Sequence, residues 1–421
     1  MLQAVETAPL HTAAYEEHAA PAMLAQIGAM ALPLRGLRVV HINATADGGG
    51  VAEILRSLVP LLSDLGLDAC WYVLPPDDDF FAVTKQLHNW LQGHPGEIQP
   101  EHQHTYASYL ERLAAQMGDL DADVWVIHDP QPLPLRALVP LRGAAIWRCH
   151  IDCSTPNGGV HEYLQPWIQA YDRALFSMPE YVLPGLQPEH VRIVHPAIDP
   201  LATKNCPLSQ SEAKTVLARL GIDPDRPLVT QVSRFDPWKN PWQVVDAYRQ
   251  AKRAVPEVQL ALVGTFAADD DPEAPEIYRA IRDYAGPDPD VHFFTDPERV
   301  GSQEVNAFQS ASSVILQRST REGFGLTVTE AMWKARPVVA TPVGGIRLQI
   351  QDGHNGYLVE STEGCADYMV RLLTDSRLAD HIGAAARGSV RERFLMPRLV
   401  RDHLELYGEL VPSQPARAAA A

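Results

Sequence analysis

No run of apolar residues in this chain approaches the roughly 20 needed to cross a bilayer. The opening Met1-Leu-Gln-Ala-Val-Glu6 also lacks the basic-then-apolar pattern of a secretory leader. A cytoplasmic protein with no membrane partner is expected. Positive charge is scarce: 35 Lys and Arg against 52 Asp and Glu leave a formal net charge of −17. General binding to nucleic acid or to an anionic membrane needs a basic field, so neither is expected, and any phosphate site must be built locally. Cysteine is sparse as well. Five residues at scattered positions, Cys70, Cys149, Cys153, Cys206 and Cys365, form no disulfide framework in a chain of this size and read as reduced structural thiols. Also missing are a G-x-x-x-x-G-K-[ST] loop, a G-x-S-x-G elbow, a C-x-x-C pair and an H-E-x-x-H helix, which argues against P-loop, serine-hydrolase and metallopeptidase chemistry. His94, His102 and His104 lie in a polar, Gly/Pro-containing stretch without metal-ligand spacing, and no metal site is expected.

What is present is enough for two packed domains: 421 residues, 46% of them hydrophobic. Two trains of short apolar strands alternate with helical patterns. The first comprises 37–43, 69–74, 124–128, 145–150, 173–177 and 191–194, and the second 228–234, 258–264, 291–294, 313–317, 337–340 and 357–359. Nearly continuous apolar strands separated by helices predict parallel sheets covered on both faces. The fold class is therefore α/β, with two Rossmann-like, doubly wound domains. Their expected limits are 1–197 and 198–396, a Pro/Asn/Ser-rich stretch from about 196 to 227 supplies a hinge and one short helix, and 413–421 is a frayed tail. Ligands of such sheets bind beyond the carboxyl ends of the strands, so two such ends facing each other would define a central cleft.

Several chemistry-bearing segments fall at those ends. The first strand runs into Gly48-Gly49-Gly50, where backbone can approach a ligand with no Cβ in the way, although a merely permissive turn would look the same. An amphipathic helix follows, with Pro60 expected to kink it and Gly66 to stop it. Arg234 and Lys239 follow strand 228–233 and could offset the charge of a diphosphate without a divalent metal, or could be a solvated surface pair. His150 and Asp152 follow strand 145–149 on one face of an extended chain, with Cys149, Ile151 and Cys153 on the other. A lone histidine at a strand end is often structural. Asp129 adds a carboxylate after a neighbouring strand, in a proline-rich turn. The segment Ser319 to Glu330 sets Glu322 and Glu330 about a glycine turn that opens a helix, whose N-terminus is suited to an anion while the carboxylates grip hydroxyls. Phosphate plus hydroxyls describes a nucleotide sugar.

The order Arg234, Lys239, Glu322-x₇-Glu330 resembles the retaining two-domain GT-B glycosyltransferases. Gly48-Gly-Gly-Val-Ala-Glu-Ile-Leu55, His128-Asp-Pro-Gln-Pro132, Trp147-Arg-Cys-His-Ile-Asp152, Gln231 to Lys239 and Arg321 to Trp333 resemble the trehalose glycosyltransferring synthases, from about Leu37 to about Phe394. The resemblance implies transfer of glucose from an ADP-, UDP- or GDP-type nucleoside diphosphate glucose to free D-glucose, with retention, giving α,α-trehalose. By position, Arg234 and Lys239 would hold the diphosphate with backbone at Gly48, Gly49, Gly50, Gly325, Leu326 and Thr327. Glu330 would bind ribose, Glu322 the donor glucose, His150 would lie beside the reacting sugar, and Asp129 and Asp152 would serve the acceptor. Front-face attack, with the leaving phosphate taking the acceptor's proton, is implied over a carboxylate nucleophile. No cofactor beyond the donor substrate is required, a homodimer is possible, and a helix at about 397–412 would pack back on the first domain. Two rivals remain: a retaining trehalose phosphorylase using glucose 1-phosphate, and a non-catalytic nucleotide-sugar-binding regulator.

Overall fold

The computed structural model describes residues 1–118, 120–264 and 274–411. The expected tail at 413–421 lies outside them. The chain divides into two compact units, one of Met1–Pro196 together with the segment from Met396 onward, the other of Ala197–Leu395.

In the first unit, strands β1 (Gln3–Ala4), β2 (Arg38–Asn43), β3 (Asp68–Val73), β4 (Val124–His128), β5 (Ala144–Arg148), β6 (Arg173–Phe176) and β7 (Val191–Ile193) form one sheet in the order β1-β3-β2-β4-β5-β6-β7. The apolar runs do form parallel strands, and β4 is buried at every residue, as a strand covered on both faces must be. The exception is β1, an antiparallel two-residue edge beside β3 that is too short to carry a pattern. Trp71 Nε1 donates to Asn43 Oδ1 at the end of β2 at 2.6 Å, and two further indoles pin the sheet to its loops, Trp125 Nε1 donating to the Arg142 carbonyl at 2.7 Å and Trp147 Nε1 to the Asp129 carbonyl at 2.9 Å. The helix Gly50–Asp64 runs without interruption through Pro60 and ends before Gly66, whose φ of 95° suits glycine. The helix Met396–Leu410 packs on Pro21–Ala31 and Gly50–Asp64, burying Leu399, Val400, His403, Leu404 and Tyr407 in a stripe of helical spacing.

In the second unit, β8 (Leu228–Val232), β9 (Gln259–Val263), β10 (Val291–Phe294), β11 (Val314–Gln317), β12 (Val338–Ala340) and β13 (Tyr357–Leu358) pair in parallel in the order β10-β9-β8-β11-β12-β13. One short helix, Gln210–Arg219, precedes them, opened by a reciprocal Ser209–Glu212 cap. Strand order reverses between β8 and β11 here and between β2 and β4 in the first sheet. Crevices form at such reversals because the flanking connections leave on opposite faces of the sheet. The loops after these four strands carry Arg234, Ser319–Gly325, Gly48–Gly50 and Asp129. Among the described residues no helix is long and apolar enough to cross a membrane.

Helix Ser376–Arg393 offers a test of the packing. A Cβ on Gly383 would fall 2.1 Å from the Ala335 carbonyl oxygen, whereas one on Gly388 meets nothing within 4 Å. Gly383→Ala is expected to destabilise by about 1–3 kcal/mol, overpacking outweighing the roughly 1 kcal/mol of helix propensity gained. Gly388→Ala should stabilise, and urea denaturation of the two variants checks the opposite signs.

Candidate active site

In the first unit, register places the chemistry. Parallel pairing sets His128 opposite Arg148 and Ile127 opposite Trp147, so the loops after β4 and β5 leave the sheet side by side. Asp129 turns the first loop with φ 61°, a left-handed backbone that an ordinary side chain adopts only when its surroundings hold it there. Those surroundings are explicit. Its amide donates to the Arg148 carbonyl at 2.8 Å, its carbonyl accepts from Trp147, and its Oδ1 accepts the His150 backbone N–H at 2.7 Å. Burial pushes the Asp129 carboxyl up to about 7, against the opposing pull of the His150 N–H and the Arg148 guanidinium.

Asp129 and His150 are therefore brought together. The His150 ring stacks on His128 with centroids 5.3 Å apart, and its Nε2 lies 3.0 Å from His128 Nδ1. Burial, reinforced by the Arg148 cation, holds the His150 imidazole well below its ordinary pKa. Asp152 is buried but turned to its own loop, where Oδ1 accepts from the Ser154 amide at 3.1 Å and hydroxyl at 2.6 Å. It does not share an extended face with His150, because β5 ends at Arg148. The Cys149 and Cys153 sulfurs lie 3.7 Å apart, and both thiols are free. At the neighbouring strand end, Asn43 Nδ2 donates to the Thr45 carbonyl at 2.7 Å, Gly48 takes φ 87°, and Gly49 opens the helix with no side-chain cap. Residues Asp47 to Gly50 are exposed there, as a helix N-terminus offered to an anion would be.

In the second unit the basic and acidic segments meet. Lys239 Nζ lies 2.5 Å from Glu322 Oε2, which also accepts from Ser319 Oγ at 3.3 Å and Gln317 Nε2 at 3.4 Å. Arg234 Nη2 reaches Asp236 Oδ2 at 3.2 Å, and Asp236 Oδ1 caps the short turn Pro237–Lys239 through the Trp238 amide at 2.8 Å. The Thr320 amide donates to the Trp238 carbonyl at 2.7 Å, tying the two loops together. Gly325 adopts φ 85° at the N-cap of helix Leu326–Trp333, and a Cβ there would sit 3.2 Å from Glu322 Cγ. The amides of Leu326 and Thr327 belong to the first turn, which has no acceptors within its own helix.

Glu330, expected to grip hydroxyls, lies in a buried polar network. It is 1% exposed, and its carboxylate accepts from Gln309 Nε2 at 3.0 Å and pairs with Lys204 Nζ at 3.4 Å. Lys334 Nζ completes the network through Gln309 Oε1 at 2.8 Å and Asn205 Oδ1 at 3.1 Å, and its ammonium is pushed down to about 8 by burial, with Glu330 opposing. Lys204, Gln309 and Lys334 carry no sequence signal; Lys204 lies in the stretch read as hinge. His102 and His104 sit on the helix Pro100–Ala114, His102 capping it by accepting the Gln99 amide at Nδ1. Among the described residues no group of three or more His, Cys, Asp or Glu side chains could hold a metal ion.

Comparison with known proteins bears on family and fold. Residues 41–183 match the family described as "Trehalose synthase, N-terminal domain", and residues 213–389 match "Glycosyl transferases group 1". A trehalose synthase of Rubrobacter xylanophilus is 45% identical over 98% of this chain and 100% of its own length. A trehalose phosphorylase of Grifola frondosa is 31% identical over 85% of this chain but 55% of its own length. Among solved structures, a UDP-forming trehalose-phosphate synthase from Burkholderia xenovorans superposes with a TM-score of 0.71 at 15% identity, covering 90% of this chain and 100% of that one. That likeness shows the fold, which is GT-B.

The Asp129 carboxyl gives a signed prediction. Its folded value lies above the unfolded one near 4, so ionising it costs stability progressively as pH rises from about 4 to about 7. Asp129→Asn keeps an oxygen for the His150 amide and removes that cost. The variant's stability relative to the parent should rise by on the order of a few kcal/mol between about pH 4 and about pH 8, read by urea denaturation.

Proposed function

We propose that this chain, which belongs to the trehalose synthase family of group 1 glycosyltransferases, makes α,α-trehalose by transferring glucose from a nucleoside diphosphate α-glucose to free D-glucose. The anomeric configuration is retained and nucleoside diphosphate is released. Glycosyl transfer related to trehalose follows from the family; donor, acceptor and stereochemistry are the proposal.

The observation that carries it is the cluster at the β8/β11 reversal: Arg234, Lys239 and Glu322 beside the first turn of Leu326–Trp333. Breaking the anomeric C–O bond leaves negative charge on the diphosphate and an oxocarbenium-like sugar. Fixed donors aimed at that phosphate act most strongly where charge develops. Arg234 offers a planar fork, and the Leu326 and Thr327 amides add a helix N-terminus. Lys239 has three N–H donors, so its ammonium can hold Glu322 and a phosphate oxygen at once. Glu322, oriented by Lys239, Ser319 and Gln317, is assigned to the hydroxyls of the donor glucose.

His150 is assigned to the transferred sugar. Its neutral imidazole suits hydrogen bonding to a hydroxyl, and no nucleophile is assigned. The leaving phosphate takes the proton of the attacking hydroxyl on the same face of the sugar. Asp129 is assigned to the acceptor through the carboxylate oxygen not bound to the His150 amide. Glu330 is assigned to ribose, which requires Lys204 to yield one carboxylate oxygen. Charge neutralisation comes from side chains and backbone, so no divalent metal is needed.

The test is product analysis with a panel of nucleotide glucoses and free sugars. Trehalose with stoichiometric nucleoside diphosphate is the expected result. Glucose 1-phosphate released from trehalose and phosphate, without nucleotide turnover, would replace this reading with a phosphorylase. Arg234→Ala and Lys239→Ala should each lower kcat by on the order of 10²–10³-fold, as expected for loss of one fixed donor to developing charge.

A further inference from the structure

Behind His150 the first unit contains an unbroken row of buried polar rings that the proposed chemistry does not use. His150 Nε2 lies 3.0 Å from His128 Nδ1, and His128 Nε2 lies 3.1 Å from His41 Nδ1. His41 Nε2 lies 3.4 Å from the Tyr407 hydroxyl, the longest link, and that hydroxyl lies 3.1 Å from His403 Nδ1. His41, His128, His403 and Tyr407 are each at most 4% exposed. The row begins at the end of β5, crosses β4 and β2, and ends on the helix Met396–Leu410.

Each gap between two rings holds one proton, and a neutral imidazole carries one proton on its two nitrogens. These two facts couple each imidazole to the next from His150 as far as Tyr407. If His128 Nδ1 donates to His150, then His128 Nε2 must accept from His41 Nδ1, His41 Nε2 must accept from Tyr407, and Tyr407 must accept from His403 Nδ1. If His150 Nε2 donates instead, the bonds reverse as far as Tyr407, whose hydroxyl can then donate to His403 Nδ1 or accept from it. His41, His128 and His150 therefore carry the proton on nitrogens of the same name, all Nδ1 or all Nε2, and no mixed arrangement of these three keeps their bonds, whereas His403 is held to Nδ1 only when Tyr407 donates to His41. Burial holds all four well below the ordinary imidazole value, His403 at about 3, and the Arg148 cation adds to this at His150, His128 and His403, so the neutral count applies.

We infer that this row is a relay that fixes which nitrogen of His150 carries its proton, and so whether His150 Nδ1 offers the bound sugar a donor or an acceptor. His128 and His41 are then positioning residues for His150, and Tyr407 and His403 anchor them from the far end of the chain. The inference rests on the assignment of His150 to the sugar, but its central claim can be read without catalysis.

Two-bond ¹H–¹⁵N spectra of histidine-labelled protein distinguish the tautomers, and single His→Gln variants assign the four signals. The expected result is one shared tautomer at His41, His128 and His150; different tautomers among these three would overturn the relay. His128→Phe keeps a stacked ring and removes both bonds. It should shift or split the His150 signal and lower kcat by on the order of tenfold to a hundredfold with donor KM nearly unchanged, a positioning effect. Tyr407→Phe, the conservative change at the longest link, should alter the His150 signal in the same direction while the protein stays folded by circular dichroism. A His150 tautomer unmoved in both variants would overturn the inference. Wild-type protein that forms no trehalose would sink the functional reading alone, because the tautomer comparison stands or falls separately.

Discussion

A buried guanidinium governs the first unit. Arg148 is 3% exposed at the end of β5, and it donates to the carbonyls of Phe176 and Val194 and to the Ser177 hydroxyl, gathering the ends of three adjacent strands. Burial pushes it down only to about 10, so the cation persists at neutral pH. A charge in that place is expensive to keep, and carbonyl dipoles partly offset its lost hydration. Its field sets the surroundings: imidazoles nearby lose protons, and the Asp129 carboxyl is drawn back toward ionisation. The parallel register that puts Arg148 opposite His128 therefore fixes the electrostatics of the site as well as its shape.

The second unit solves a similar problem by pairing. Lys239 with Glu322, Lys204 with Glu330, and Lys252 with Asp288 and Asp290 set each cation against a carboxylate. In a chain of net charge −17, such local pairs let basic groups gather at one strand end without a basic surface. Partly buried pairs also hold long side chains in one geometry, which positions them more than it stabilises the fold.

Much of this was legible in the sequence, for a physical reason. Strands covered on both faces must be nearly continuous apolar runs, so 124–128 was readable to the residue; the partly buried edge strand 291–294 was too, and the remaining parallel strands to within a residue or two. The meeting of Arg234, Lys239 and Glu322 was legible because topology, not side-chain detail, carries strand ends to the same edge. Four features were not. The edge strand β1 is two residues long. The buried network around Glu330 carries no local signal, because Lys204 and Gln309 reach it from separate segments. His41 sits in a strand whose other residues are core-like, and its partner Tyr407 comes from the opposite end of the chain. Asp152 was misjudged because a two-residue turn back to Ser154 competes with an extended strand.

The return of Met396–Leu410 to the first unit also dictates an order of assembly during synthesis. The second unit is one contiguous segment and can be completed as soon as Leu395 has left the ribosome, whereas the unit that began first must wait for the last helix. At about 5–20 residues per second, the intervening segment takes roughly 10–40 s to translate. For that interval the parts of Pro21–Ala31 and Gly50–Asp64 that pack on Met396–Leu410 have no cover. The nascent chain is thus most vulnerable to aggregation and proteolysis at its oldest part, and loss of the final helix would strand that half open however well the younger half had folded.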